Sequence, residues 1–220
     1  SNSQLHGHAS VALLPSLMAV ADEFCASGEE LLRAYVCGVE VCGRIGMGVG
    51  RYQYTHGWHP TTTIGIFGGV AASALIQGLT YQQTATAFGI AASLASGIKS
   101  NFGTMTKPLI VGQTARNALM AVKLAQAGFT ASLQAFEHHH GYLNVFNQDA
   151  VHYNTGHILE NWGEPYVLED MGIKQKRYPC CYACMPVLEG VEQLMHEHMV
   201  KAADIERIEL KVHSIRFPHI

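Results

Sequence analysis

From Tyr52 to Ile98 the chain carries no Asp, Glu, Lys or Arg, and this gap limits its folding options more than any motif does. A helix without a charged face has to be surrounded by other protein or by lipid. Gly, Ala, Ser, Thr and Gln dominate the run 60–98, and Gln77, Gln82 and Gln83 crowd the turn at its middle. Small and amide-bearing residues suit closely packed helices inside a protein, so two buried helices are the better reading than a membrane span. The whole chain has the same bias, with 48% hydrophobic and 14% charged residues. It has enough apolar material for a sizeable core or a subunit interface.

Apolar spacing and punctuation place helices over 12–24, 29–50, 61–77, 81–96, 108–127, a short one within 151–162, and 185–201. Pro60 suits the first helical position, and Thr80 can cap the helix that follows Gly78. Ile205–Ile215 (IERIELKVHSI) alternates apolar and polar residues at period two, which predicts a strand. The fold class is therefore mainly α, a multi-helical bundle over 1–172, with 173–220 beginning a smaller part that contains β structure.

Other readings are weaker. Net charge is −3 and no basic block appears, which argues against a nucleic-acid surface. Gly43–Gly50 (GRIGMGVG) has the look of a dinucleotide loop, yet it closes a helical pattern instead of following a strand. Close packing accounts better for its glycines. Cys180–Cys184 contains CxxC, but no second pair and no HxxxH completes a zinc set, so no metal site is expected. Cys25, Cys37 and Cys42 fall in apolar helical patterns. With no signal peptide at the start, the thiols are read as reduced and the protein as cytoplasmic. His138–His140 lie within a natural-looking segment, FEHHHGYLNVF, read either as a solvated loop near a site or as part of the chemistry.

Three polar elements each precede an apolar helix: His8-Ala9-Ser10, Gly57-Trp58-His59-Pro60, and Asn101–Pro108. Helix N-termini offer unpaired N–H groups and the positive end of the dipole, which favour anions. Simple capping explains any one of them. Together, two imidazoles and the ammonium of Lys107 would make a carboxylate-binding, proton-moving site.

The blocks YTHGWHPTTTIGIFGGVAASALIQGL, SGIKSNFGTMTKPLIVGQTARNALMAVKLAQAGFTAS and KRYPCCYACMPVLEGVEQL resemble the MmgE/PrpD family, and the similarity runs through essentially the whole chain. Members include 2-methylcitrate dehydratase, cis-aconitate decarboxylase and iminodisuccinate epimerase. The resemblance implies a large helical domain, a smaller α+β lid and a homodimer. It also implies a small di- or tricarboxylate substrate and no metal or organic cofactor. It gives catalytic roles to His59 (GxHPT-type block), Lys107 (TKPL-type block) and His8 (HPS-type element). Thr106 and Asn101 beside Lys107, and Lys176 and Arg177 where the lid segment begins, are expected to bind substrate. Ile110 and Met185 stand where many relatives carry histidine. Helices are expected to be missing from both ends, and a catalytically silent dimerisation or carboxylate-binding module is the alternative to a lyase or epimerase.

Overall fold

The computed structural model describes residues 4–148, 151–170 and 172–213, which fall into two compact units, Ser1–Ile173 and Lys174–Ile220. In the first unit the helices are α1 (Ala9–Glu23), α2 (Gly28–Val49), α3 (Tyr52–Thr55), α4 (Pro60–Thr63) and α5 (Gly65–Ile76). They continue with α6 (Tyr81–Leu94), α7 (Thr106–Gln126), α8 (Tyr142–Asn147), α9 (Thr155–Leu159) and α10 (Val167–Asp170). The second unit contributes α11 (Met185–Glu197).

The uncharged run has a direct explanation. Every residue of α5 from Gly65 to Ala74 is buried, and α5 packs against α1, α2, α6 and α7. A charge anywhere on that helix would be desolvated without a partner. The second uncharged helix differs from the expectation of full burial: α6 buries Thr86, Ala87, Gly89 and Ala91, while Tyr81 is 86% exposed. Gln82, Gln83, Thr84 and Ser93 reach water on its other side without needing charge.

Gly68 and Gly38 let α5 and α2 pack tightly against each other. A Cβ added at Gly68 would lie 2.2 Å from Cys42 Sγ and 2.6 Å from the Gly38 carbonyl oxygen. Burial at this crossing pushes the Cys42 thiol up to about 12, so it is an inert apolar filler there.

Helix punctuation follows the sequence closely. Thr80 and Gln83 form a reciprocal capping box at the start of α6, as Ser27 and Glu30 do for α2, and Pro60 opens α4. The expected single helix 61–77 is broken at Ile64. The Tyr142 hydroxyl donates to the Thr63 carbonyl at 2.9 Å, and Phe67 N–H bonds back to Ile64 instead. A side chain inserted into the helical ladder in this way interrupts it.

Buried Glu40 and Arg44 on α2 hold the chain leading into α10. Arg44 Nε donates to Glu40 Oε1 at 2.7 Å. Its other nitrogens donate to the carbonyls of Glu160, Asn161 and Pro165. Glu40 in turn accepts from the backbone N–H groups of Gly163 and Val167. Three glycines of the GRIGMGVG run do serve packing, against Val167 (at Gly43), Gln4 and Leu5 (at Gly46) and Ile158 (at Gly48), whereas Gly50 ends α2 at φ +56° in open space.

The described part of the expected strand 205–215 is not formed. Residues 205–213 have no strand, and the two remaining positions lie outside the described residues. An alternating pattern needs a neighbouring strand to complete its ladder, and the described residues supply none. Among the described residues, no helix is long and apolar enough to cross a membrane.

Candidate functional site

Backbone hydrogen bonds join the Gly57–Pro60 element to the residues 97–99 that run into the Asn101–Pro108 element. Trp58 and Ile98 form an isolated antiparallel bridge, His59 N–H donates to the Gly97 carbonyl at 3.1 Å, and Lys99 N–H donates to the Gly57 carbonyl at 2.8 Å. The Thr62 hydroxyl reinforces the join, lying 2.6 Å from the Ser96 carbonyl oxygen and 2.9 Å from that of His59. Gly97 is obligatory at this join: its φ is +115°, and a Cβ would sit 2.3 Å from Thr62 Oγ1. The third element is tied on through His8, whose N–H donates to Thr61 Oγ1 at 3.1 Å.

His59 is the most constrained side chain of the group. It is 4% exposed, and its Nδ1 has no hydrogen-bond partner among the described residues. Burial, then the nearby positive charges of Lys107 and His8, pull its pKa down to about 4. The imidazole is therefore neutral at physiological pH, with a lone pair available on one nitrogen. A buried network fixes the end of α4. Thr63 Oγ1 donates to Gln53 Oε1 at 2.7 Å, and Gln53 Nε2 donates to the Tyr142 hydroxyl at 3.1 Å.

The two lysines of the region have different settings. Lys99 Nζ donates to the Tyr54 carbonyl at 3.0 Å and lies 3.7 Å from the centroid of the Tyr54 ring. Lys107 has no carboxylate partner among the described residues, and its Nζ lies over the ring of Phe102 at 4.3 Å. Phe102 also meets the His59 ring in an edge-on contact, with centroids 4.8 Å apart. Lys107 and His59 thus share the Phe102 ring, and His8 is close enough to act electrostatically on His59, so the three make one electropositive cluster.

Asn101 and Thr106 belong to the same loop. The Thr104 hydroxyl donates to the Asn101 carbonyl at 2.8 Å and accepts from Thr106 N–H at 3.2 Å, shaping the entry into α7. Ile110, one turn into that helix, has its Cγ2 3.1 Å from where a Gly97 Cβ would be. Lys176 and Arg177 lie in the second unit and have partners there. Lys176 Nζ donates to the Cys180 carbonyl, and Arg177 pairs with Glu192 at 3.0 Å.

Residues 3–153 match the MmgE/PrpD N-terminal domain family. The chain belongs to the MmgE/PrpD family. It is 27% identical to the human cis-aconitate decarboxylase over 220 residues, covering 96% of this chain and 45% of that protein. It is likewise 27% identical to the cis-aconitate decarboxylase-like protein oryM of Aspergillus oryzae, covering 96% of this chain and 47% of the relative. The Aspergillus terreus cis-aconitate decarboxylase is also 27% identical, over 87% of this chain and 41% of its own length. The chain spans about half the length of the curated relatives it matches.

For this MmgE/PrpD chain, sequence reasoning missed Phe102 and Gly97. The signal for Phe102 was a lone aromatic within a Gly, Ser and Thr loop. For Gly97 there was only a helix-ending glycine. Two cavities of about 500 and 720 Å³ also lie in the first unit, along α2 and α5 and beside Trp162. None of His8, His59 and Lys107 lines either one.

Proposed function

We propose that the protein is a lyase that moves a proton at a carbon next to a carboxylate in a small di- or tricarboxylate, in the manner of cis-aconitate decarboxylase or 2-methylcitrate dehydratase. The observation that carries this reading is the buried, neutral His59 beside Lys107, with an unpaired nitrogen and only positive charges acting on it. No carboxylate among the described residues pairs with Lys107. A polycarboxylate placed there would offset the charges of Lys107 and His8 and restore the basicity of His59.

In this reading His59 is the general base or acid, His8 a second proton-handling group and Lys107 the stabiliser of carboxylate or enolate charge. Thr106 and Asn101 bind substrate from the entry to α7. For a cis-aconitate-type substrate, the C–COO⁻ bond breaks and CO2 leaves. Its electron pair becomes the new double bond, and the former double-bond pair takes a proton from an imidazolium. For a hydroxy-tricarboxylate, His59 takes the proton next to a carboxylate, the C–H electron pair becomes the new double bond, and the hydroxyl departs as water with a proton given by the His8 imidazolium. Both routes use only the protein's own groups. A homodimer in the cytoplasm, with 173–220 as the start of a lid, belongs to the same proposal.

The test is turnover of cis-aconitate, citrate and 2-methylcitrate by the parent protein and by Lys107→Ala. Loss of one electrostatic stabiliser should lower the rate by roughly 10²–10³-fold. Equal rates in the two proteins would discard the assignment.

A further inference from the structure

We propose that His138, His139 and His140 form a surface site for one divalent transition-metal cation of the zinc or nickel class. Each imidazole offers one nitrogen, and these nitrogens lie within 4.8 Å of one another. The rings are already gathered, with centroids 4.2 Å (138–139), 3.8 Å (139–140) and 5.8 Å (138–140) apart. A cation of this class holds imidazole nitrogens at about 2.0–2.1 Å, so small rotations of the three exposed rings would bring them to coordinating distance. Three neutral nitrogen ligands select borderline transition metals over magnesium or calcium, which prefer oxygen.

The backbone beneath the rings is firmly held. His138 N–H donates to the Gln134 carbonyl at 2.8 Å, and the His138 carbonyl accepts from Gly141 N–H at 2.6 Å and Asn144 Nδ2 at 3.2 Å. Tyr142 N–H and Leu143 N–H donate to the carbonyls of Ala135 and Phe136, while the rings of Phe136 and Tyr142 pack on buried Phe67. Binding a cation here does not require ordering a loop, which lowers its entropic cost.

One contact would have to change. His140 N–H donates to His138 Nδ1 at 3.1 Å, so Nδ1 is the acceptor and Nε2 carries the proton. A cation bound at Nδ1 displaces that N–H. One bound at Nε2 requires the proton to move to Nδ1, which can then no longer accept. Occupancy through His138 therefore releases the His140 amide, a signature that adsorption elsewhere on the surface would lack.

Calorimetric titration of the protein with ZnCl2, repeated with NiCl2, should show one site with a dissociation constant on the order of micromolar. His139→Ala/His140→Ala should weaken that site by roughly tenfold or more. Cys180→Ser/Cys181→Ser/Cys184→Ser should bind as the parent does. The His140 amide should exchange faster with solvent when metal is present. Unchanged affinity in the histidine variant, loss of the site in the cysteine variant, or binding only at millimolar metal would each overturn the proposal.

Discussion

The ammonium of Lys107 lies 4.3 Å from the centre of the Phe102 ring, and that contact holds the charge next to His59. An aromatic face attracts a cation by about 0.5–2 kcal/mol, depending on how dry the site is. Unlike a carboxylate partner, the ring leaves the full charge available to an incoming anion.

Phe102→Leu should therefore keep the fold and loosen Lys107. On the proposed reading, the expected result is a several-fold weaker affinity for citrate by calorimetry, with the thermal midpoint nearly unchanged. Citrate binding equal to the parent would remove Phe102 from the site.

The buried imidazole makes stability depend on pH. The pKa of His59 is about 4 in the folded chain and about 6.5 when unfolded. Between these values the unfolded state binds more protons, so His59's contribution is fully present above pH 6.5 and is lost progressively as pH falls towards 4. Its size is on the order of 3 kcal/mol, from the linkage between pKa and stability. Urea melts of the parent and of His59→Gln between pH 4 and 7 should show the parent losing more stability. Parallel curves would contradict the assigned shift.

The Glu40–Arg44 pair sits in a different electrostatic regime. Both side chains are almost fully buried, and together they satisfy three carbonyls and two N–H groups of the 160–167 segment. Removing one partner of such a pair strands the other charge, at a cost of about 3–5 kcal/mol. Arg44→Met should show that loss in denaturant melts, together with faster proteolysis near residue 160. A change below about 1 kcal/mol would show that the segment is held by other contacts.

Two glycines should respond in opposite directions. Gly68→Ala forces a methyl group into Cys42 and the Gly38 carbonyl, so a loss of about 1–3 kcal/mol is expected. Gly112→Ala, on an exposed face of α7 with open space around it, should gain up to about 1 kcal/mol from helix propensity. Thermal melts of both variants check the pair, and destabilisation at Gly112 as large as at Gly68 would refute the packing argument.

The sequence by itself determined the long helices and much of their punctuation, though not the short helices at 52–55, 142–147 and 167–170. Local apolar spacing and capping chemistry act over three or four residues, so Thr80-Gln83, Pro60 and the uncharged run could be read without a fold. It also marked His8, His59 and Lys107 as polar interruptions ahead of helices. Only the tertiary structure decided that these three share one electropositive cluster, with Phe102 between Lys107 and His59 and Gly97 at the join. It also broke the expected helix at Ile64, through a hydroxyl arriving from Tyr142, and left 205–213 without a strand. Burial, hydrogen-bond partners and strand ladders all come from residues distant in the chain, and no local pattern encodes which distant residue will arrive.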